Sequence, residues 1–158
     1  MDPNNISGLP PATQSGANTF GCLVNGVPWV PAGSNGTANL SIDYDPGFNN
    51  GIFSIAAMRV ISPAQTTSIG IGIRDSLNFF SPPKLLFLTK NSLFGVYYND
   101  FSNCTYSYFD TTIIREGQLL ISTLDRSNRI IAGTFEAKLI KTGCDTIKIT
   151  NGRFDFKF

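Results

Sequence analysis

Strict two-residue alternation of apolar and polar side chains, recurring from Phe20 to the last residue, limits most what this chain can fold into. Residues 38–44 alternate without a fault. Phe135, Ala137 and Leu139 share one face while Thr134, Glu136 and Lys138 share the other. Arg153-Phe154-Asp155-Phe156-Lys157-Phe158 repeats the pattern. Period 2 with one polar face describes an antiparallel strand that covers a core on one side. No stretch of 12 residues carries a helical period.

The remaining strands follow from the same reading. Residues 52–61 are apolar on both faces apart from Ser54 and Arg59, which predicts a central or doubly covered strand. Residues 67–74 place Ile69, Ile71 and Ile73 on one face, with Gly70 and Gly72 on the other. Further strands are predicted at 84–89, 93–98, 104–109 and 117–124.

Asn-Gly occurs at 25–26, 35–36, 50–51 and 151–152, and this pair suits the two positive-φ positions of a type I′ hairpin turn. A two-residue loop at 25–26 pairs Val24 with Val27 and Cys22 with Trp29, and puts Pro28 on an edge. A loop at 151–152 pairs Ile149 with Phe154 and Ile147 with Phe156 on one face. About eleven short strands separated by turn signals predict one all-β domain. The expected architecture is a single antiparallel β-sandwich over 20–158, with a flattened β-barrel as the alternative. Residues 1–19, rich in Pro, Asn, Gly, Ser and Thr, are expected to be an extended N-terminal tether.

Composition narrows function by exclusion. The chain has 158 residues, enough for one domain with a sizeable core. Charged residues make up 15% and the net charge is +1, so no basic surface for nucleic acid is expected. The 16 Ile and 13 Phe exclude disorder. No run of 18 apolar residues is present to cross a bilayer as a helix. No signal-peptide pattern opens the chain, and the small-polar composition favours an exported protein trimmed of its export segment over a cytosolic one. There is no His, which removes the commonest metal ligand and general base. No cofactor motif is found.

The three cysteines are Cys22, Cys104 and Cys144. One disulfide with one thiol left over is expected, and Cys22 with Cys144 is preferred because each sits beside a hairpin of the core. Three buried free thiols are the alternative. Without His or a C-x-x-C pair, a zinc site is not expected.

Four features carry candidate chemistry. Asp43 and Asp45 flank Tyr44 before Pro46-Gly47. They offer hard oxygen ligands to Ca²⁺, but six or more oxygens are needed and no third acid is near, so an Asp-Pro-Gly turn is the favoured reading. Glu116 and Glu136, the only glutamates, are the acid–base pair a carboxylate-dependent hydrolase would require. A solvated strand face explains both equally. Ile69-Gly70-Ile71-Gly72-Ile73 lacks the third glycine and the helix of a dinucleotide fingerprint. Its bare glycine face admits a backbone or an aromatic ring at close range. Finally, adjacent Phe79 and Phe80 cannot share a strand face. With Tyr97, Tyr106 and Tyr108 they form a candidate ligand-contact set, which otherwise fills the core and its margins.

The segment Leu9-Pro10-Pro11-Ala12-Thr13-Gln14-x-Gly16-x-Asn18-Thr19-Phe20-Gly21-Cys22-Leu23-Val24-Asn25-Gly26 resembles the N-terminal signature of small uncharacterised lipoproteins of Bacteroidetes. Leu120 to Asp125, Arg129 to Glu136, Cys144 and Ile149 to Asp155 are similar to the C-terminal half of that family. The resemblance implies an exported envelope protein, in which either Met1 replaces a removed export segment with its lipid-bearing Cys or this member departs from the pattern and is not lipidated. It implies membrane attachment only through an anchor absent from this chain. It also places Cys22 and Cys144 at the family's two cysteine positions, and suggests O-glycosylation at Asp75-Ser76-Leu77, Asp110-Thr111-Thr112 or Asp145-Thr146-Ile147. The expected function is a non-catalytic binding or scaffold domain with a glycan or partner protein as ligand. A carboxylate-dependent hydrolase is one alternative, and a small apolar-ligand carrier is another if the sheet closes as a barrel.

Overall fold

The computed structural model describes residues 5–101 and 103–158. Eleven strands are present among them: β1 (Thr19–Val24), β2 (Val27–Trp29), β3 (Leu40–Asp45), β4 (Ile52–Ser62), β5 (Gln65–Ile73), β6 (Lys84–Phe87), β7 (Phe94–Asn99), β8 (Thr105–Tyr106), β9 (Ile114–Asp125), β10 (Ile130–Ile140) and β11 (Ile147–Lys157). A single 3₁₀ turn, Leu77–Phe79, follows β5. The strands form a six-stranded sheet, ordered β2-β1-β11-β10-β9-β6, and a five-stranded sheet, ordered β3-β4-β5-β7-β8. All strand pairs are antiparallel. Neither sheet closes into a barrel. The fold is therefore the sandwich, and a carrier built on a closed barrel loses its premise.

The alternation decides what lies between the sheets. Phe20, Leu119, Ile121, Ile131, Phe135, Leu139, Ile149, Phe154 and Phe156 project inward from one sheet. Phe53, Ile55, Ile69, Ile71, Ile73, Phe94 and Val96 meet them from the other. Phe135 lies with its ring centroid 5.4 Å from Phe20 and 6.4 Å from Phe154, and Phe154 lies 5.9 Å from Phe53, so aromatic contacts cross the sandwich. Strand β4 is central within its sheet but covered on one face only, since Ser54 and Ala56 stay exposed. At the chain's crossing between sheets, Gly33 has φ +67°, and a side chain there would meet the Val60 carbonyl oxygen at 2.1 Å.

The Asn25-Gly26 turn has φ values of 49° and 82°, and its predicted pairs Val24–Val27 and Cys22–Trp29 form, with Pro28 on edge strand β2. The Asn151-Gly152 hairpin does not form. Strand β11 runs straight through both residues and bulges there against β10 and β1 together. Both devices move the inward face by one residue, from Ile149 to Phe154, so the alternation is the same in either. Pairing on two sides favours the bulge. Gly152 has to be glycine here, because a Cβ would lie 2.4 Å from the Phe135 ring. The predicted strand 104–109 shortens to Thr105–Tyr106, because residues 107–113 turn back across the sheet.

The cysteine pairing is also corrected. Cys104 and Cys144 form the disulfide, with Cα atoms 5.8 Å apart. Cys104 leads into edge strand β8 of one sheet, and Cys144 lies in the β10–β11 connection of the other, so the bond joins the two sheets. Cys22 is the free thiol. It points into the core from β1 and is fully buried, so no partner can reach it. Burial pushes its pKa up to about 12, which keeps it as an inert thiol.

Residues 1–4 of the N-terminal lead-in lie outside the described residues. The rest crosses the outer face of the six-stranded sheet. Gly8 lies against Pro28, and Leu9 and Pro10 lie over Gly21. The Arg153 Nη1 donates to the Pro10 carbonyl at 3.3 Å. Asp155, only 1% exposed, accepts bonds from the Thr13 hydroxyl at 2.7 Å and the backbone amides of Ser15, Gly16 and Ala17 at 2.9, 2.7 and 3.2 Å.

Candidate functional site

The outward face of the five-stranded sheet carries almost no side-chain bulk along its middle. Register aligns Ser54 of β4, Gly72 of β5 and Gly95 of β7 in one row, and Ala56, Gly70 and Tyr97 in the next. The inward Ile residues that define β5 leave these glycines outside. Tyr108 lies on this bare surface. A Cβ at Gly95 would sit 2.6 Å from the Tyr108 Cδ1, and one at Gly70 would sit 2.8 Å from its hydroxyl oxygen. The glycine face thus receives an aromatic ring of the same chain. Burial pushes the Tyr108 phenol well above its ordinary range, with Tyr97 adding to the shift.

On one side of Tyr108 the surface opens into a cleft of about 260 Å³, near the small end of ligand clefts, ~300–1,000 Å³. Ser54, Gly72 and Gly95 contribute to its floor, with Phe48, Ile52, Tyr108 and Phe109 as apolar lining. Arg74, Thr89, Lys90 and Arg115 are among its polar lining. Phe48 is 56% exposed and Phe109 is 86% exposed. On the other side of Tyr108 a second hollow of about 210 Å³ is lined by Ser41, Ala56, Met58, Gly70 and Tyr97.

Both walls are held rigidly. Phe48 belongs to the β3–β4 loop, where Asn49, Asn50 and Gly51 all have positive φ. Asp45 accepts from the Gly47 amide at 2.8 Å, and the Gly51 amide bonds the Phe48 carbonyl at 2.8 Å. The loop is clamped to the 3₁₀ turn by Asn78, whose side chain donates to the Pro46 carbonyl at 2.8 Å. Tyr108 and Phe109 sit on the segment between β8 and β9. The Arg115 guanidinium binds three of that segment's carbonyls: Tyr108 at 3.0 Å, Ser107 at 3.4 Å and Asp110 at 2.6 Å. The Cys104–Cys144 bond, the Tyr106 hydroxyl on the Asp145 carbonyl, and Lys141 fasten the segment to the opposite sheet. Lys141 donates to the Thr105 carbonyl at 2.8 Å and pairs with Asp110 at 3.0 Å. Asp110 titrates at about 2, lowered first by the Thr112 hydroxyl and amide and then by Lys141.

Of the five expected contact residues, only Tyr108 lines the larger cleft, and Tyr97 flanks it in the second hollow with its ring centroid 6.0 Å from that of Tyr108. Tyr106 is a core residue packed on Tyr98, and Phe80 is buried beneath Lys84. Phe79 is exposed but does not line the cleft. Phe48, Phe109, Arg74, Lys90 and Arg115 were not foreseen. The sequence signal that leads to them is the glycine face itself. Asp43 and Asp45 are exposed on the edge strand, with Asp45 engaged in its turn, and among the described residues no cluster of three acidic, His or Cys groups forms. Glu116 and Glu136 stand exposed on the outer face of the other sheet, where Glu116 lies 4.0 Å from Lys138. Among the glycosylation motifs Thr111 is exposed, while Ser76 and Thr146 are half-buried.

Gly95→Ala tests the seat of Tyr108. The added methyl collides with the ring and is expected to cost about 1–3 kcal/mol of stability. In a Gly95→Ala/Tyr108→Ala double variant the two costs should fall short of additive, as read by denaturant unfolding.

Compared with protein-family models, curated proteins and solved structures, the chain finds no match.

Proposed function

We propose that this protein is an exported, non-catalytic binding module whose ligand is a glycan seated in the cleft on the five-stranded sheet. The observation that carries this reading is the pair of exposed aromatic walls, Phe48 and Phe109, beside a floor stripped to Ser54, Gly72 and Gly95. Flat sugar faces stack on such rings while their hydroxyls remain at the wet rim. The second hollow continues along the same strands, β4, β5 and β7, beyond Tyr108, which suits a linear chain of rings better than a single compact molecule. The lining holds neither carboxylate nor thiol, so the cleft is supplied for contact and not for acid–base or nucleophilic work. The disulfide suits an oxidising compartment, which supports export.

A glycan array with the described domain tests the proposal. Binding is expected to fall about tenfold or more in Phe109→Ala, whose exposed ring leaves the fold intact, since an aromatic contact contributes ~1 kcal/mol beyond its buried area. Glu116→Gln/Glu136→Gln should bind as the parent does. Retained binding in Phe109→Ala, or no glycan bound at all, would remove the proposal.

A further inference from the structure

The geometry points to a glycan that bears carboxylates, a uronate polymer, with an acidic group lodged at the Arg74–Lys90–Arg115 end of the cleft. This inference rests on the glycan reading above and names the ligand's chemical class. Three cations and no carboxylate line the cleft. All three come from one end of the sandwich: Arg74 follows β5, Lys90 lies in the β6–β7 connection and Arg115 lies near the start of β9. The chain therefore brings together three charges that are far apart in sequence.

Nearby anions offset them only in part. Asp110 is the acid beside Arg115, and its Oδ2 already pairs with Lys141 at 3.0 Å. Counting Arg74, Lys90, Arg115 and Lys141 against Asp110 and Asp75, which follows Arg74 in the chain, leaves four positive charges and two negative, a local excess of two. Asp43 pairs with Ser54 and stands at the β3 edge of the row that Ser54, Gly72 and Gly95 form, at the far side from the β7 wall, and Asp45 is occupied by the Gly47 amide. Burial lowers the Arg115 pKa, Asp110 opposes that shift, and Arg74, a like charge, adds to the lowering. Like charges held together in a half-apolar cleft form a site for an anion.

The donors are also oriented in advance. Arg74 is anchored by a 2.6 Å bond from its Nη2 to the Ser92 carbonyl. Arg115 is locked by its three carbonyls and contributes a fixed positive charge. Guanidinium groups match the planar carboxylate well and form strong, charge-assisted bonds with it. A uronate ring on Phe109 or Phe48 places its carboxylate at this rim while its ring face stays on the aromatic surface.

The test is calorimetry with tetrasaccharides of galacturonate, mannuronate and guluronate, each beside its carboxyl-reduced neutral counterpart. At least one acidic form should bind about tenfold more tightly than its neutral partner. Its affinity should fall steeply between low and high salt. Arg74→Gln and Lys90→Gln should each weaken acidic binding several-fold more than neutral binding, so that the double variant loses the preference. Equal affinity for acidic and neutral forms, or a preference that survives in the double variant, overturns the uronate assignment and leaves the glycan reading standing. Binding only to sulfated oligosaccharides run in parallel overturns it as well. Failure of every acidic and neutral form overturns both.

Discussion

Replacing Cys104 or Cys144 with serine is expected to lower the free energy of unfolding by about 4 kcal/mol. The bond spans 40 residues of sequence, and the chain-entropy cost of closing a loop of that length gives this figure. For a domain of this size the midpoint should drop by about 10 °C. The loss is also local. Residues 105–113 carry Tyr108 and Phe109, and the disulfide is one of four fasteners that hold them to the opposite sheet, with the Tyr106 hydroxyl, Lys141 and Arg115. Reduction should therefore weaken ligand binding before the domain unfolds. Cys22→Ser instead leaves the bridge intact. It places a hydroxyl in the apolar core and should cost no more than about 1–3 kcal/mol. Thiol titration should find no reactive group in the native state and one on denaturation. Three free thiols on denaturation, or a reactive Cys104 in the native protein, would contradict the pairing.

Asp155→Ala is expected to release the N-terminal lead-in and to cost about 3 kcal/mol, within the range for losing hydrogen bonds to a buried charged group. The carboxylate is 1% exposed and collects the Thr13 hydroxyl and three consecutive amides of the lead-in. Burial raises its pKa, but the bonds from Thr13, Ser15, Gly16 and Ala17 outweigh burial and hold it below the ordinary carboxylate range. A carboxyl depressed on folding contributes stability that is fully present above its unfolded pKa of about 3.9 and is lost as pH falls through the folded value. The lead-in should stay docked at neutral and mildly acidic pH and loosen only in strong acid. Hydrogen exchange at the Ser15, Gly16 and Ala17 amides reads this directly. In Asp155→Asn the same amides should exchange rapidly at every pH. Unchanged protection in that variant would show that packing of Leu9 and Pro10 holds the segment without the carboxylate.

The legible part of the fold is the part written in local periodicity. Ile69, Ile71 and Ile73 face inward, and Phe135, Ala137 and Leu139 do the same, because a strand has only two faces and water selects between them. The turn at Asn25-Gly26 was readable for a related reason, since few residue pairs accept two positive φ angles. At Asn151-Gly152 the same signal is ambiguous. A hairpin and a bulge shift the alternation equally, and only the presence of β1 and β10 on either side of β11 decides between them.

The candidate site was half legible. Gly70 and Gly72 announce a bare face in the sequence, but nothing local says which ring covers it. Tyr108 reaches it from a segment between two strands of different sheets. Tyr106, two residues earlier, turns into the core, so a shared residue type says nothing about a shared environment. The cysteine pairing depends on where loops from different sheets end, and residue spacing carries no record of that distance.

By itself, then, the alternation of this sequence determines an all-β domain and the inward face of most strands, because burial is a local choice between two sides. The tertiary structure decides which strands become neighbours, which cysteines meet, and that Phe48, Phe109, Arg74, Lys90 and Arg115 share one cleft. Those outcomes depend on contacts between residues far apart in the chain, which exist only once both sheets have packed.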